Sequence, residues 1–253
     1  MRPGWLALLP LLLAPPLALS FTGAELAARN VEARGGAQKI HAIASLRLTG
    51  KMLVQRDTIK LDYVTLVKSP RSVRYDAQIQ GLTNVQAYDG AQAWQINPFQ
   101  GRKDPEKLSA DDAKGMGEDA ADFAGVLVDY EAKGYQLEAL GREDVDGTDA
   151  YKVRVARGNG DVSYVYLDPD SFLEIRVVNR RIEHGVPAET VTDYGDYELV
   201  QGVYYPFAQV SGPKGSADRN KVQFDRAEAN PPLDDAIFHF PAPAAGAATG
   251  STR

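Results

Sequence analysis

The chain of 253 residues contains no cysteine. That absence excludes a disulfide framework, a thiolate zinc site and a cysteine nucleophile. Histidine is scarce as well: His41, His184 and His239 lie far apart, and none stands in a metal-ligand spacing such as H-x-x-x-H. There is no G-x-S-x-G elbow and no P-loop lysine pattern. The run Gly115-Met116-Gly117-Glu118-Asp119-Ala120 mimics a dinucleotide fingerprint, but no strand of a βαβ unit precedes it. An excess of positive charge is also missing. Lysine and arginine number 28 against 34 acidic residues, for a formal net charge of −6. A chain without a basic stripe is not built for nucleic acid, nor for constant adhesion to anionic headgroups. Contact with lipid would have to pass through an apolar cavity. With no histidine or cysteine constellation, the residues give no support to an enzyme, and they call for no cofactor.

What is present begins with a leader. Arg2 is the only charge in the first twenty residues, an apolar run extends from Trp5 to Leu13, and small residues flank Leu19 at Ala18 and Ser20. This reads as a cleaved secretory signal over residues 1–20. The run is shorter than a membrane span needs, and Pro10, Pro15 and Pro16 interrupt it. The expected product is a secreted periplasmic monomer, with one domain over residues 21–242 and a Pro/Ala/Gly-rich, disordered tail at 243–253.

The period of the sequence then changes. Thr22 with Glu25 three residues later forms a capping box before helix formers, and Gly35-Gly36 ends that segment. From Ser45 onward apolar and polar residues alternate, as half-buried strands require. Segments 46–54, 59–67, 73–79, 83–88 and 92–96 read as strands, the last two joined at Asp89-Gly90. Residues 97–133 read as a helical insertion: Ser109, Asp111 and Asp112 suit a helix start, and Phe123, Val126, Leu127 and Tyr130 recur at helical spacing. Alternation resumes over 135–140, 150–155, 162–167, 172–178, 190–197, 203–209 and 221–226. The fold class is therefore mainly β: a curved antiparallel sheet of about ten to twelve strands, forming an incomplete barrel with a helical lid over its concave face. Such a shape encloses an apolar cavity, filled either by the protein's own side chains or by a ligand. Carboxylate pairs such as Asp168 and Asp170 read as turn and cap residues. The candidate ligand contacts are apolar and aromatic: Met52, Leu61, Tyr63, Tyr75, Trp94 and Phe99.

Two stretches carry a family likeness. Leu66-Val67-Lys68-Ser69-Pro70-Arg71, followed by Tyr88-Asp89-Gly90-Ala91-Gln92-Ala93-Trp94-Gln95-Ile96-Asn97-Pro98-Phe99, resembles the periplasmic outer-membrane lipoprotein carriers of the lipoprotein-sorting superfamily. The ending Asp234-Asp235-Ala236-Ile237-Phe238-His239-Phe240 resembles that family's last element. The likeness spans roughly residues 24–242. It implies an incomplete barrel closed by helices, and a periplasmic carrier of an acylated ligand (lipoprotein, lipid or glycolipid). Its partners would be an inner-membrane transporter and an outer-membrane acceptor. In the general carriers the variable position of V-K-x-P is an arginine that latches the lid. Here it is Ser69, with Arg71 two residues on as a candidate substitute. The chain thus resembles a divergent member with specialised cargo. The alternative reading is a lipid- or lipoprotein-sensing module that binds an inner-membrane regulator.

Overall fold

The computed structural model describes residues 21–241. The expected leader over 1–20 and the expected tail over 243–253 lie outside the described residues.

The first helix, α1 (Gly23–Ala33), is set by the predicted capping box. The Glu25 amide donates to Thr22 Oγ1 at 3.2 Å, and the Thr22 amide donates to the Glu25 carboxylate at 2.8 Å. The helix gives way at Gly35, whose φ is +121°. A Cβ there would lie 2.1 Å from the carbonyl oxygen of Gly202, so only glycine allows this approach. A short helix follows, α2 (Ala37–His41). The chain then meanders through β1 (Ser45–Val54), β2 (Ile59–Lys68), β3 (Ser72–Ile79), β4 (Leu82–Tyr88), β5 (Ala93–Asn97) and β6 (Arg102–Lys107). Helix α3 (Ala110–Ala121) crosses to a second meander. Its strands are β7 (Gln136–Val145), β8 (Thr148–Ala156), β9 (Val162–Leu167), β10 (Glu174–Glu183), β11 (Val186–Val200), β12 (Val203–Pro213) and β13 (Asn220–Ala229).

The two meanders form one antiparallel sheet of 13 strands in the order β6-β5-β4-β3-β2-β1-β13-β12-β11-β10-β9-β8-β7. Strand β1 joins them by pairing with β13, from Leu46 opposite Ala229 to Leu53 opposite Lys221. Strands β6 and β7 remain edges, so the sheet curls into an incomplete barrel. All three helices lie against the concave face. Leu26 and Ala27 of α1 pack on Val153, Val155 and Val165. Ile40 of α2 packs on Leu46, Leu48 and Phe207. Met116 and Ala120 of α3 pack on Val67, Val73 and Ala93. The convex face is partly covered by the C-terminal segment, where Leu233 and Phe238 pack on Leu66.

Two expectations need correction. The strand count rises to 13 through β6, whose sequence Arg-Lys-Asp-Pro-Glu-Lys is polar at every position but proline. It is an edge strand, where proline is tolerated and no apolar alternation is required. The helical insertion is also shorter than the spacing suggests. α3 stops at Ala121, and residues 122–134 form successive turns. Gly125 has φ +117° and Asp129 has φ +51°, which a helix does not allow. Val126, Leu127 and Val128 are nevertheless buried, as a strap against α1 and α2.

Candidate functional site

The concave face holds a partly open cavity of about 670 Å³ between the sheet, the strap and α3. Period-two alternation decides what lines it. Leu46, Leu48 and Met52 of β1 face it, as do Tyr63 and Val67 of β2, because paired residues on neighbouring strands project to the same side. Gly50 is paired with Tyr63 on one side and Phe224 on the other. With no side chain between them, the Tyr63 and Phe224 rings come to 6.3 Å, and Tyr63 stacks on Tyr75 at 6.4 Å. A Cβ on Gly50 would fall 2.1 Å from the carbonyl oxygen of Gln223. The result is an apolar and aromatic wall across β3, β2, β1 and β13.

The opposite wall is different. Thr190, Thr192 and Tyr194 of β11 face the cavity, together with Asn179 of β10 and Gln209 and Ser211 of β12. Thr192 is paired with Ser211, and their hydroxyls are 2.9 Å apart. Enclosure pushes the hydroxyls of Tyr63, Tyr75 and Tyr194 above the ordinary phenol range, because burial penalises the phenolate.

The roof is held by ions. Arg157 Nη1 donates to Asp122 at 2.7 Å and to the Tyr135 hydroxyl at 2.6 Å, and its Nη2 donates to Ser163 at 3.0 Å. Arg181 lies 2.9 Å from Glu118 and 3.7 Å from Asp119, both on α3. The amide of His184, at the tip of the β10–β11 hairpin, donates to Asp111 at 2.7 Å. Burial raises the Glu118 carboxyl despite the pull of Arg181 and Arg157. Burial likewise raises Asp119, which accepts from the Tyr75 hydroxyl at 3.3 Å. The Asp119 side chain keeps 48% of its surface accessible, but it lines both the cavity and the groove beside α3, so its surroundings are largely protein. Among the described residues no group of three or more histidines or carboxylates is placed to hold a metal ion.

The structure brings together Met52, Tyr63 and Tyr75 at the cavity. Leu61 is paired with Met52 on the same face but is buried beyond the lining. Trp94 is on the other face. It is 2% exposed, sits with Val85 and Ala87, and its indole N–H donates to the Phe238 carbonyl at 2.7 Å. Phe99 is exposed in the turn after β5. Arg71 is exposed beside the β4–β5 turn and forms no ion pair among the described residues, so the arginines that hold α3 are Arg157 and Arg181. The polar wall escaped the sequence reading, although Thr190, Thr192 and Tyr194 alternate in plain view.

No family model and no curated protein matches the chain. Its likeness to solved structures is extensive. A domain described as outer membrane lipoprotein-sorting, from Vibrio parahaemolyticus, superposes at TM-score 0.57 with 12% identity, covering 85% of this chain and 95% of that one. A LolA superfamily protein from Nitrosomonas europaea gives TM-score 0.55 with 14% identity, covering 87% and 98%. The fold is the lipoprotein-sorting half-barrel. A DUF1329 family protein from Desulfovibrio piger shares it at TM-score 0.51 and 12% identity, covering 86% of this chain and 95% of that one. In this chain the cavity lies between the sheet and the helices.

Proposed function

We propose that the protein is a periplasmic carrier that holds an acylated ligand in its central cavity and transfers it towards the outer membrane. The observation that carries this reading is the cavity itself: about 670 Å³ of space under a curved sheet, partly open to solvent, with one wall apolar and aromatic. That volume falls within the roughly 300–1,000 Å³ of small-molecule sites. Leu48, Met52, Tyr63 and Tyr75 would contact the chain, and each methylene taken from water contributes about 0.8 kcal/mol. The fold shared with the similar structures supports the same reading, and a leader over residues 1–20, as the sequence leads one to expect, would agree with it. Carriage requires no covalent step, only a closed state and an open state between which partners shift the balance. α3 is the element suited to open, since polar contacts from Arg181 and His184 join it to the β10–β11 hairpin. An inner-membrane transporter would load the cavity and an outer-membrane acceptor would empty it.

A fluorescent fatty-acyl probe tests this directly. The purified protein is expected to bind it, and Thr65→Phe, which places a ring into the cavity, is expected to weaken binding on the order of tenfold or more by occupying the chain's space. Binding that is absent, or that is indifferent to Thr65→Phe while the variant stays folded, would contradict a chain held in this cavity.

A further inference from the structure

The two walls of the cavity differ in chemistry, and the charges between them cancel. Three arginines line it, Arg34, Arg157 and Arg181, and so do three carboxylates. Each arginine has a carboxylate partner in the lining, and Glu118 and Lys133 extend the network behind it. Arg34 lies 4.0 Å from Glu174, Arg157 lies 2.7 Å from Asp122, and Arg181 lies 3.7 Å from Asp119. The pairing leaves no cation in the lining without a carboxylate partner, so nothing there asks for a phosphate or carboxylate head. An anionic head would instead meet carboxylates already in place.

The wall on β10–β12 is rich in uncharged donors and acceptors. Asn179, Thr190, Thr192, Tyr194, Gln209 and Ser211 all reach the cavity. Asn179 accepts from Ser163 through its oxygen at 2.6 Å, and its amide nitrogen makes no hydrogen bond among the described residues. The Thr190 and Tyr194 hydroxyls and the Gln209 amide likewise have no side-chain partner among the described residues. These groups are half-buried and face the cavity without a protein partner among the described residues, so their hydrogen-bonding capacity is free for a ligand. Their natural complement is a ligand bearing several neutral hydroxyls.

We propose that the cargo's head enters the cavity along with its chain, and that the cargo is a single-chain amphiphile with a neutral, polyhydroxylated head. The chain lies on the wall of Leu48, Met52 and Tyr63, and the head's hydroxyls meet the wall of Thr190, Thr192 and Asn179. The inference rests on the carrier reading and narrows it. The volume suits one ligand of modest size, so a many-chained anchor would not be enclosed whole. A sugar head and a glycerol head share this chemistry.

Calorimetric titration of the full chain with three twelve-carbon probes below their micelle concentrations distinguishes the outcomes: dodecyl maltoside, monolauroyl glycerol and laurate. The neutral probes are expected to bind about tenfold tighter than laurate. Maltoside tighter than monoglyceride names a sugar head, and the reverse names a glycerol head. In Thr190→Val/Thr192→Val, and separately in Tyr194→Phe, the ratio of neutral to anionic affinity is expected to fall several-fold. That ratio compares two ligands on one protein, so a partial loss of folding does not mimic it. Laurate binding as tightly as the neutral probes, or a ratio untouched by both variants, overturns the polyol inference and leaves the carrier reading standing. If none of the three probes binds, the carrier reading itself fails.

Discussion

Trp94 shows how a single residue's face decides its role. Strand β5 alternates, so Ala93 packs under α3 while Trp94 turns to the convex side beneath Phe238 and Phe240. A period of two means that a reading displaced by one position moves every side chain to the other face. Trp94→Ala is expected to destabilise the fold by about 3–5 kcal/mol in denaturant unfolding, and Trp94 emission is expected to change little when an acyl ligand enters the cavity. Arg157 is the charged counterpart. Its side chain is almost fully buried among Asp122, Glu118, Tyr135 and Ser163. Removing it strands carboxylates, so Arg157→Ala is expected to cost about 3–5 kcal/mol. Asp119 has a pH signature. Burial raises its carboxyl in the folded state above the value in the unfolded chain. Its ionised form therefore opposes folding above that raised pKa. The opposition fades as pH falls through it and vanishes below the unfolded value. Compared with Asp119→Asn, the native protein is expected to gain stability on mild acidification. A difference between the two that is flat from neutral pH down to the ordinary aspartate range would contradict the raised value.

At the scale of elements, the strongly patterned pieces were legible and the weakly patterned ones were not. Thr22 and Glu25 marked the start of α1, because the capping box is a local device. β1 and β2 were legible from alternation sustained over ten residues each. β6 was not, since an edge strand of charged residues carries no apolar period. The segment after α3 misled in the other direction. Phe123, Val126, Leu127 and Tyr130 are spaced for a helix, but Gly125 adopts a positive φ next to the buried Arg34 side chain, and the backbone turns away. The polar wall was hidden for a related reason. Alternation separates two faces without stating which one lines a cavity, so the strand over 190–197 was legible while the facing of Thr190 and Thr192 into the cavity was not. These elements also differ in how they are held. α1 is fixed by apolar packing of Leu26 and Ala27, whereas α3 combines the apolar contacts of Met116 and Ala120 with ion pairs and the hairpin tip. Hydrogen exchange is expected to be faster in α3 than in α1 and to slow in α3 when an acyl ligand is bound. Equal protection of both helices would argue against α3 as the opening element.

For the whole molecule, one sheet does two jobs. Its curl, fixed by strand twist and by the β1–β13 pairing, creates the concave space, and its open edges leave room for helices to cover that space. The incomplete barrel was legible as a class from alternation and turns, and the family likeness from the stretches at 66–71 and 88–99, while the chemistry inside was not, because it depends on which strands come to face one another. The carrier reading stands or falls on whether the cavity holds a chain in the cell. Native mass spectrometry of the protein purified from its own periplasm, followed by lipid extraction, measures this most directly. The reading predicts an acyl-chain species at near one-to-one stoichiometry. A protein that emerges bare, and that then takes up no acyl ligand when offered one, would contradict it.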